Sequence, residues 1–399
     1  MSKVVIIGGG VSGVVSAIYA KRKGNKVTIL ERNSDILKKL LMTGNGRCNY
    51  FNVDQSINHY HSNNMDIVNK IITGDNVNEL LKFYDEIGIV YKIKNGYYYP
   101  YSNQAVSVKD ALKSELKALN VEVICDYLVN DIKYDNNKFI INDELSCDKL
   151  IISTGSKAYP KTGSDGMGYK FLKNFSHNIT KVNPALVQIK SNNKFLKDLS
   201  GVRCEAKVSL YDNDKLLKED IGELQLTDYG LSGICVFNIS YLVNKNDNDK
   251  YALVNFIPFI STKEEFINYI NKRNKLVNNR TIYEVLEGIL NKKIVSVILK
   301  TSNINFDVKL EDLTNKEIDK LATNIITYKF NITGTNSFDK SQVCSGGVIL
   351  SEINPENMMS KIVDNLYVTG ELLDVNGDCG GYNLTFAFIS GYLAGSDIK

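Results

Sequence analysis

Three glycines near the start of the chain, Gly8, Gly10 and Gly13, stand in a G-x-G-x-x-G spacing with Val11 and Ser12 inside it. That spacing suits the binding of a pyrophosphate. The first glycine permits a tight turn, the second lets the backbone approach the phosphates, and the third lets a helix pack closely on a sheet. The N–H groups that open such a helix, with the positive end of its dipole, complete the anion site. Glu31 follows Gly13 by 18 residues, close to the separation of about 20 at which a carboxylate meets a ribose. Arg32 beside it suggests a 2′-phosphate, but the carboxylate of Glu31 would repel one.

Two more stretches carry residue types suited to chemistry. KLLMTGNGRCNYFN (39–52) holds Lys39, Thr43, Gly44, Gly46, Arg47, Cys48 and Asn49. Its glycines imply backbone near a ligand or an unusual turn, and Arg47 is suited to an anionic partner. Cys48 is a candidate redox or catalytic thiol beside that ligand. GDCGGYN (377–383) places Cys379, Gly380, Gly381, Tyr382 and Asn383 at the opening of an apolar helical run. A helix N-terminus there stabilises negative charge developing on a cofactor.

Elements must bring these residues together. Residues 4–7 are continuously β-branched, the pattern of a strand buried on both faces. A small-residue helix follows to Gly24, and residues 26–30 form a second buried strand ending at Glu31. A short helix is expected before Lys39. Residues 121–127 and 128–134 read as strands, with Val129 where a backbone group would meet adenine. Residues 149–153 form a strand ending at Thr154-Gly155, and 366–369 one ending at Gly370-Glu371. Such ends gather on the ligand side of a parallel sheet. The distant Gly370-Glu371 strand end favours FAD over NAD, because FAD runs extended and collects contacts from a C-terminal segment.

At this point the motifs resemble a family. GGGVSG (8–13), the 39–52 segment, TGSKAYPKTGSDGMGY (154–169), NPALVQI (183–189) and the block 345–395 resemble the BaiN-like bacterial flavoproteins, also described as aminoacetone-oxidase-like FAD-binding enzymes. The resemblance runs over essentially the whole chain. It implies an α/β fold: an FAD-binding Rossmann-type domain of the glutathione-reductase kind, with an inserted β-barrel and a small inserted helical domain. It also implies FAD held at Gly8, Gly10, Gly13 and Glu31, with Gly370, Glu371 and Asp374 near the ribityl chain and pyrophosphate. The TGNGRCN loop and the CGGYN turn would embrace the isoalloxazine. There are three departures: Leu37 where the family has Gly, Ser153-Thr154-Gly155-Ser156 for its ATGG, and Cys379 for its Thr. A CxxxxC redox pair is absent, since Thr43 and Val53 stand where a partner for Cys48 would be.

The expected boundaries are 1–185 with 342–399 for the FAD domain, 186–260 with 329–341 for the barrel, and 261–328 for the helical insert. Alternating segments such as 206–210 and 253–256 support the barrel. Helically spaced Phe266, Ile270, Ile282, Val285 and Ile289 support the helices, and Thr262 with Glu265 resembles a capping box. Such an insertion would shape a substrate pocket.

The bulk composition narrows the function. With 48 Lys and Arg against 45 Asp and Glu, the net charge is +3, which argues against a nucleic-acid partner or a polybasic membrane tail. Seven scattered cysteines in no CxxC, and an N-terminus without a signal-peptide pattern, point to a reducing cytoplasmic setting. No apolar stretch is long enough to span a bilayer. His59 and His61 form an HxH pair with no ligand cluster in sequence, which reads as a polar loop and not a metal site. The expectation is therefore an FAD oxidoreductase passing hydride between flavin and a small or medium organic substrate. The resemblance suggests reduction of unsaturated steroid-like acids or other enones, with amine oxidation by O2, a flavin-dependent RNA-modifying enzyme and a flavin sensor as alternatives. NAD(P)H as electron donor would lack a dedicated domain, because no second GxGxxG is present. The oligomeric state is not legible.

Overall fold

The apolar run at the N-terminus forms the central strand of a parallel sheet in the computed structural model, which describes every residue except Asn278. The strands are β1 (Lys3–Ile7), β2 (Lys26–Leu30), β3 (Glu122–Ile124), β4 (Lys149–Ile152) and β5 (Leu366–Val368). Their spatial order is β5-β4-β1-β2-β3, and all neighbours are parallel. β1 is buried from Val4 to Ile7, as a strand covered on both faces must be. Order reverses between β1 and β4, so their carboxyl ends flank the crevice where such sheets bind ligands.

Helix α1 (Val11–Arg22) covers one face, and α2 (Tyr382–Asp397) packs across it. The crossing is close because it is lined with small residues. Ser16 Oγ donates to Ser12 O at 2.8 Å and to Gly391 O at 3.1 Å, and a side chain at Gly391 would strike the Ser12 backbone. The C-terminal helix is thereby fixed against the N-terminal fingerprint.

These elements belong to one compact unit, Met1–Ala185 with Phe338–Lys399; the other is Leu186–Ser337. In the second unit, six strands close a barrel. Arg203–Asp212 and Lys215–Leu226 form its long hairpin, and Tyr328–Thr335 returns to it after the helices. Phe266, Ile270, Ile282 and Leu286 share one core with barrel residues Val208, Leu210, Val254 and Phe330. Thr262 and Glu265 form the capping box expected from the sequence, and Thr281/Glu284 and Thr314/Glu317 form two more.

Two expectations are corrected. Residues 32–38 form bends and no helix. Leu37 takes φ 61° there while its N–H donates to Gly9 O. The two strands expected over 121–134 shorten to Glu122–Ile124 and Ile132–Asp135. Between them the chain crosses the end of β2: Asp126 N donates to Asn33 O and Tyr127 N to Glu31 O. Those bonds replace ladder pairing.

Candidate functional site

The turn after β1 is built by contacts only glycine permits. A Cβ at Gly13 would collide with Gly8 O and Ser153 Oγ, and one at Gly8, φ 106°, would lie 2.5 Å from Ser153 O. Ser153 Oγ donates to Gly8 O at 2.9 Å, so β4 clamps the turn. Gly10 differs. Its φ of −74° suits any residue, and a Cβ there would meet nothing within 4 Å. Val11, Ser12 and Gly13 open α1, where the first N–H groups lack intrahelical partners.

Glu31 ends β2 with its carboxylate fixed. Oε2 accepts from Gly9 N at 2.8 Å; Oε1 accepts from Asn33 N at 2.8 Å and Asn33 Nδ2 at 2.7 Å. Arg32 turns outward to pair with Asp165, away from a role beside Glu31. Val129 is buried two residues beyond Tyr127. Thr154 and Gly155 follow β4, and Gly155 takes φ 73°.

The strand end at β5 joins this edge. A side chain at Gly370, φ 70°, would meet Ser12 Oγ at 2.5 Å, while Gly370 N donates to Ser390 Oγ. Glu371 is a hub: it pairs with Lys39 and accepts from Ser156 Oγ at 2.6 Å and Cys344 N at 3.0 Å. Asp374, buried, accepts from Asn63 Nδ2 at 2.8 Å.

The 39–52 loop is a left-handed run. Gly44, Asn45, Gly46 and Cys48 have φ of 56°, 61°, 80° and 57°. Strain of this kind gathers at ligand sites, and successive amides turned this way form an anion-binding concavity. Thr43 anchors the run, its Oγ1 donating to Leu40 O and its O accepting from Cys48 N. Arg47 is exposed, with Nε donating to Gly44 O and the guanidinium 5.2 Å from the centre of the Tyr99 ring. Cys48 has no solvent exposure, and burial pushes its thiol up to about 12 against a small opposing effect of Thr43. Its thiolate is therefore scarce near neutrality. No disulfide joins any of the cysteines among the described residues.

The CGGYN turn closes the site. A Cβ at Gly381, φ 97°, would lie 2.6 Å from Phe51 N, so the turn rests on the end of the 39–52 segment. Gly380 borders the Tyr97 ring, and Asn52 Nδ2 donates to Gly380 O at 3.3 Å. Asn383 braces the turn through Gly377, donating from Nδ2 to its O at 2.9 Å and accepting its N–H at 2.8 Å.

Sequence reasoning missed the neighbours of this turn. His59 and His61 do not sit in an isolated polar loop: both converge on Asp378, and Tyr382 stacks on the His59 ring at 4.5 Å. Among the described residues no group of three or more His, Cys, Asp or Glu could hold a metal ion. A hairpin of Tyr91–Lys94 and Tyr97–Pro100 also borders the turn. Its YKIKNGYYYPY composition (91–101) was the available signal.

These residues fit an FAD. The open space beside Gly10 leaves its backbone approachable, as a phosphate contact requires, and the fixed carboxylate of Glu31 suits a ribose. Glycine-only contacts at Gly8, Gly13 and Gly370 bring the ends of β1, β4 and β5 against the start of α1.

Comparison with known proteins agrees with that fit. A model described as the HI0933-like protein Rossmann domain matches residues 2–397. The chain is 37% identical over 406 residues to the 3-dehydro-bile acid delta(4,6)-reductase of Clostridium scindens, covering 99% of this chain and 98% of that protein. It is 26% identical over 407 residues to the ribosomal RNA dihydrouridine synthase of Haemophilus influenzae, covering 100% and 98%. Among solved structures, the 3-ketosteroid-delta4-(5alpha)-dehydrogenase from Rhodococcus jostii RHA1 in complex with 4-androstene-3,17-dione has a TM-score of 0.50 at 12% identity, over 100% of this chain and 96% of that one. That likeness bears on the fold alone.

Proposed function

The chain belongs to the HI0933-like Rossmann family and is an FAD-dependent oxidoreductase; on that premise we propose that it reduces a carbon–carbon double bond conjugated to a carbonyl in a steroid-like acid. The observation that carries this reading is the full-length 37% identity to a bile-acid reductase. NAD(P)H is the proposed donor. The reaction then balances as one hydride to the β-carbon and one proton from water to the α-carbon.

When bound, FAD supplies the hydride. The chain's own residues hold and bias it. We assign the pyrophosphate to Gly10, Val11, Ser12 and Gly13 and the adenosine ribose to Glu31, with Val129 beside the adenine. Thr154, Gly155, Gly370 and the Lys39–Glu371 pair line the same edge. Thr43, Gly44, Gly46 and Asn49 with Gly380, Gly381, Tyr382 and Asn383 flank the isoalloxazine. Arg47 stabilises negative charge on the substrate carbonyl oxygen as hydride arrives. Cys48 is assigned to packing, because a buried neutral thiol is a poor nucleophile; Cys379, in the turn itself, keeps its place beside the flavin.

An RNA substrate is the second reading. The C5=C6 bond of uracil is also conjugated to a carbonyl, so the chemistry is the same and only recognition differs. Favouring it are the ribosomal RNA relative and the hairpin, where Tyr91 and Tyr101 are 41% and 68% exposed and Lys92 lies over the Tyr101 ring. Exposed aromatics interleaved with lysines suit unpaired bases.

Incubation with NADH or NADPH and either a 3-oxo-Δ4 steroid acid or a uridine-containing RNA separates the readings by product mass. A two-hydrogen gain on the steroid alone supports the first. Gain on the RNA alone, weakened by salt, replaces it with the second.

A further inference from the structure

His59 stands between two carboxylates. Its Nε2 is 3.0 Å from Asp54 Oδ2 and its Nδ1 is 3.2 Å from Asp378 Oδ2. The other oxygen of Asp378 is 2.7 Å from His61 Nε2. A neutral imidazole has one N–H and an ionised carboxylate can only accept. Both contacts of His59 are therefore hydrogen bonds only when the ring carries two protons. Asp54 is ionised, held below the usual carboxylate range by the Ser56 N–H and then by His59.

The cluster is built into the backbone. Gly377 pairs with Tyr60 and Asn376 with His61 in a short antiparallel ladder, and Asp378 N donates to His59 O at 2.9 Å. Asp378 is the residue before Cys379-Gly380-Gly381, so the carboxylate is one peptide from the turn assigned to the isoalloxazine. The other titratable groups packed around it are Tyr60, Tyr97, Cys379 and Tyr382. Burial holds the phenols of Tyr60 and Tyr382 well above their ordinary range, so neither exchanges protons near neutrality. Asp378 bridges the two imidazoles, one through each carboxylate oxygen.

We propose that Asp378 positions His59 and His61 as a proton store for the flavin: one proton enters the pair from water when hydride reaches the cofactor, and leaves when hydride passes to the substrate. The added positive charge offsets the negative charge that develops at the N1/C2=O edge. By linkage, reduction raises the proton affinity of the pair, and protonation raises the flavin potential in return. The proposal rests on the reading that the Cys379–Asn383 turn faces the flavin.

The test is a spectroelectrochemical titration of the FAD-loaded protein at a series of pH values between about 5 and 9, spanning imidazole titration. The wild type should show one extra proton per two electrons over part of that range, a tenfold change per pH unit or about 30 mV. In Asp378→Asn that extra slope should vanish with FAD still bound. If Asp378→Asn loses FAD, His59→Gln and His61→Gln carry the same test. A wild-type slope in FAD-loaded variants overturns the proposal. Cys379→Asp separates the two ways of failing, because a new charge in the turn must lower the potential if the turn faces the flavin. A lowered potential with an unchanged slope in Asp378→Asn rejects the proton store alone. An unchanged potential in Cys379→Asp rejects the placement of the turn, and the store with it.

Discussion

Gly10 and Gly13 have one side-chain type and two different tasks. Gly13→Ala drives a methyl into Gly8 O and Ser153 Oγ, so it should destabilise the fold itself. Gly10→Ala meets open space with an ordinary φ, so thermal stability without FAD should match the wild type within about 0.5 kcal/mol. FAD affinity should nevertheless fall at least about tenfold, roughly 1.4 kcal/mol, because the methyl would occupy the proposed phosphate approach. Apo-protein melting and FAD titration check the pair, and unchanged FAD affinity in Gly10→Ala would move the pyrophosphate elsewhere. Cys48 gives a second prediction. Alkylation at pH 8 should spare Cys48 until the protein unfolds, since its thiol stays protonated to about 12. Cys48→Ala should lose about 1 kcal/mol of stability to the small cavity, yet turn over normally. Peptide mass mapping and steady-state rates report both, and a large loss of turnover would return Cys48 to the chemistry. Leu37 shows how a departure is tolerated. Its left-handed φ costs about 1–2 kcal/mol, offset by burial of its side chain to 2% exposure.

The loop after β2 is held from outside. Asp35 accepts from Lys109 Nζ at 2.7 Å and Lys113 Nζ at 2.9 Å, which lowers its carboxyl to about 2, led by Lys109. A depressed folded value means the stabilisation is present above the unfolded value of about 3.9 and is lost as pH falls from there towards about 2. The pair is partly exposed, so Asp35→Asn should cost under about 1 kcal/mol at pH 7. Urea unfolding at pH 7 and near pH 2 should show the difference shrinking to nothing at the acid end; a constant difference would mean Asp35 acts through packing. The β1–α1–β2 unit was legible because each step has a local signature: a continuous apolar run, spaced glycines, a small-residue helix and a terminal acid. The return of Gly370 to the start of α1 was legible only as clustered strand ends. The convergence of His61 on Asp378 was not, since the two lie 317 residues apart and a hydrogen bond at that separation leaves no periodic trace. The short helix expected before Lys39 does not form, because Leu37 N bonds to Gly9 O and Asp126 N to Asn33 O instead.

At the scale of the whole molecule, a near-neutral net charge argued against a nucleic-acid partner, but net charge averages over the surface. The tyrosine- and lysine-bearing hairpin is a local departure from that average, and it borders the CGGYN turn at Gly380. The central claim is therefore about which unsaturated carbonyl receives the hydride. No helix among the described residues is long and apolar enough to cross a membrane. The most direct measurement is a single turnover. Holoenzyme is reduced anaerobically with a stoichiometric donor, then mixed with a 3-oxo-Δ4 steroid acid, and separately with a uridine-containing RNA. The account predicts that flavin absorbance returns with the steroid in a one-to-one yield of the saturated product. Flavin that stays bleached with the steroid but recovers with the RNA would contradict it.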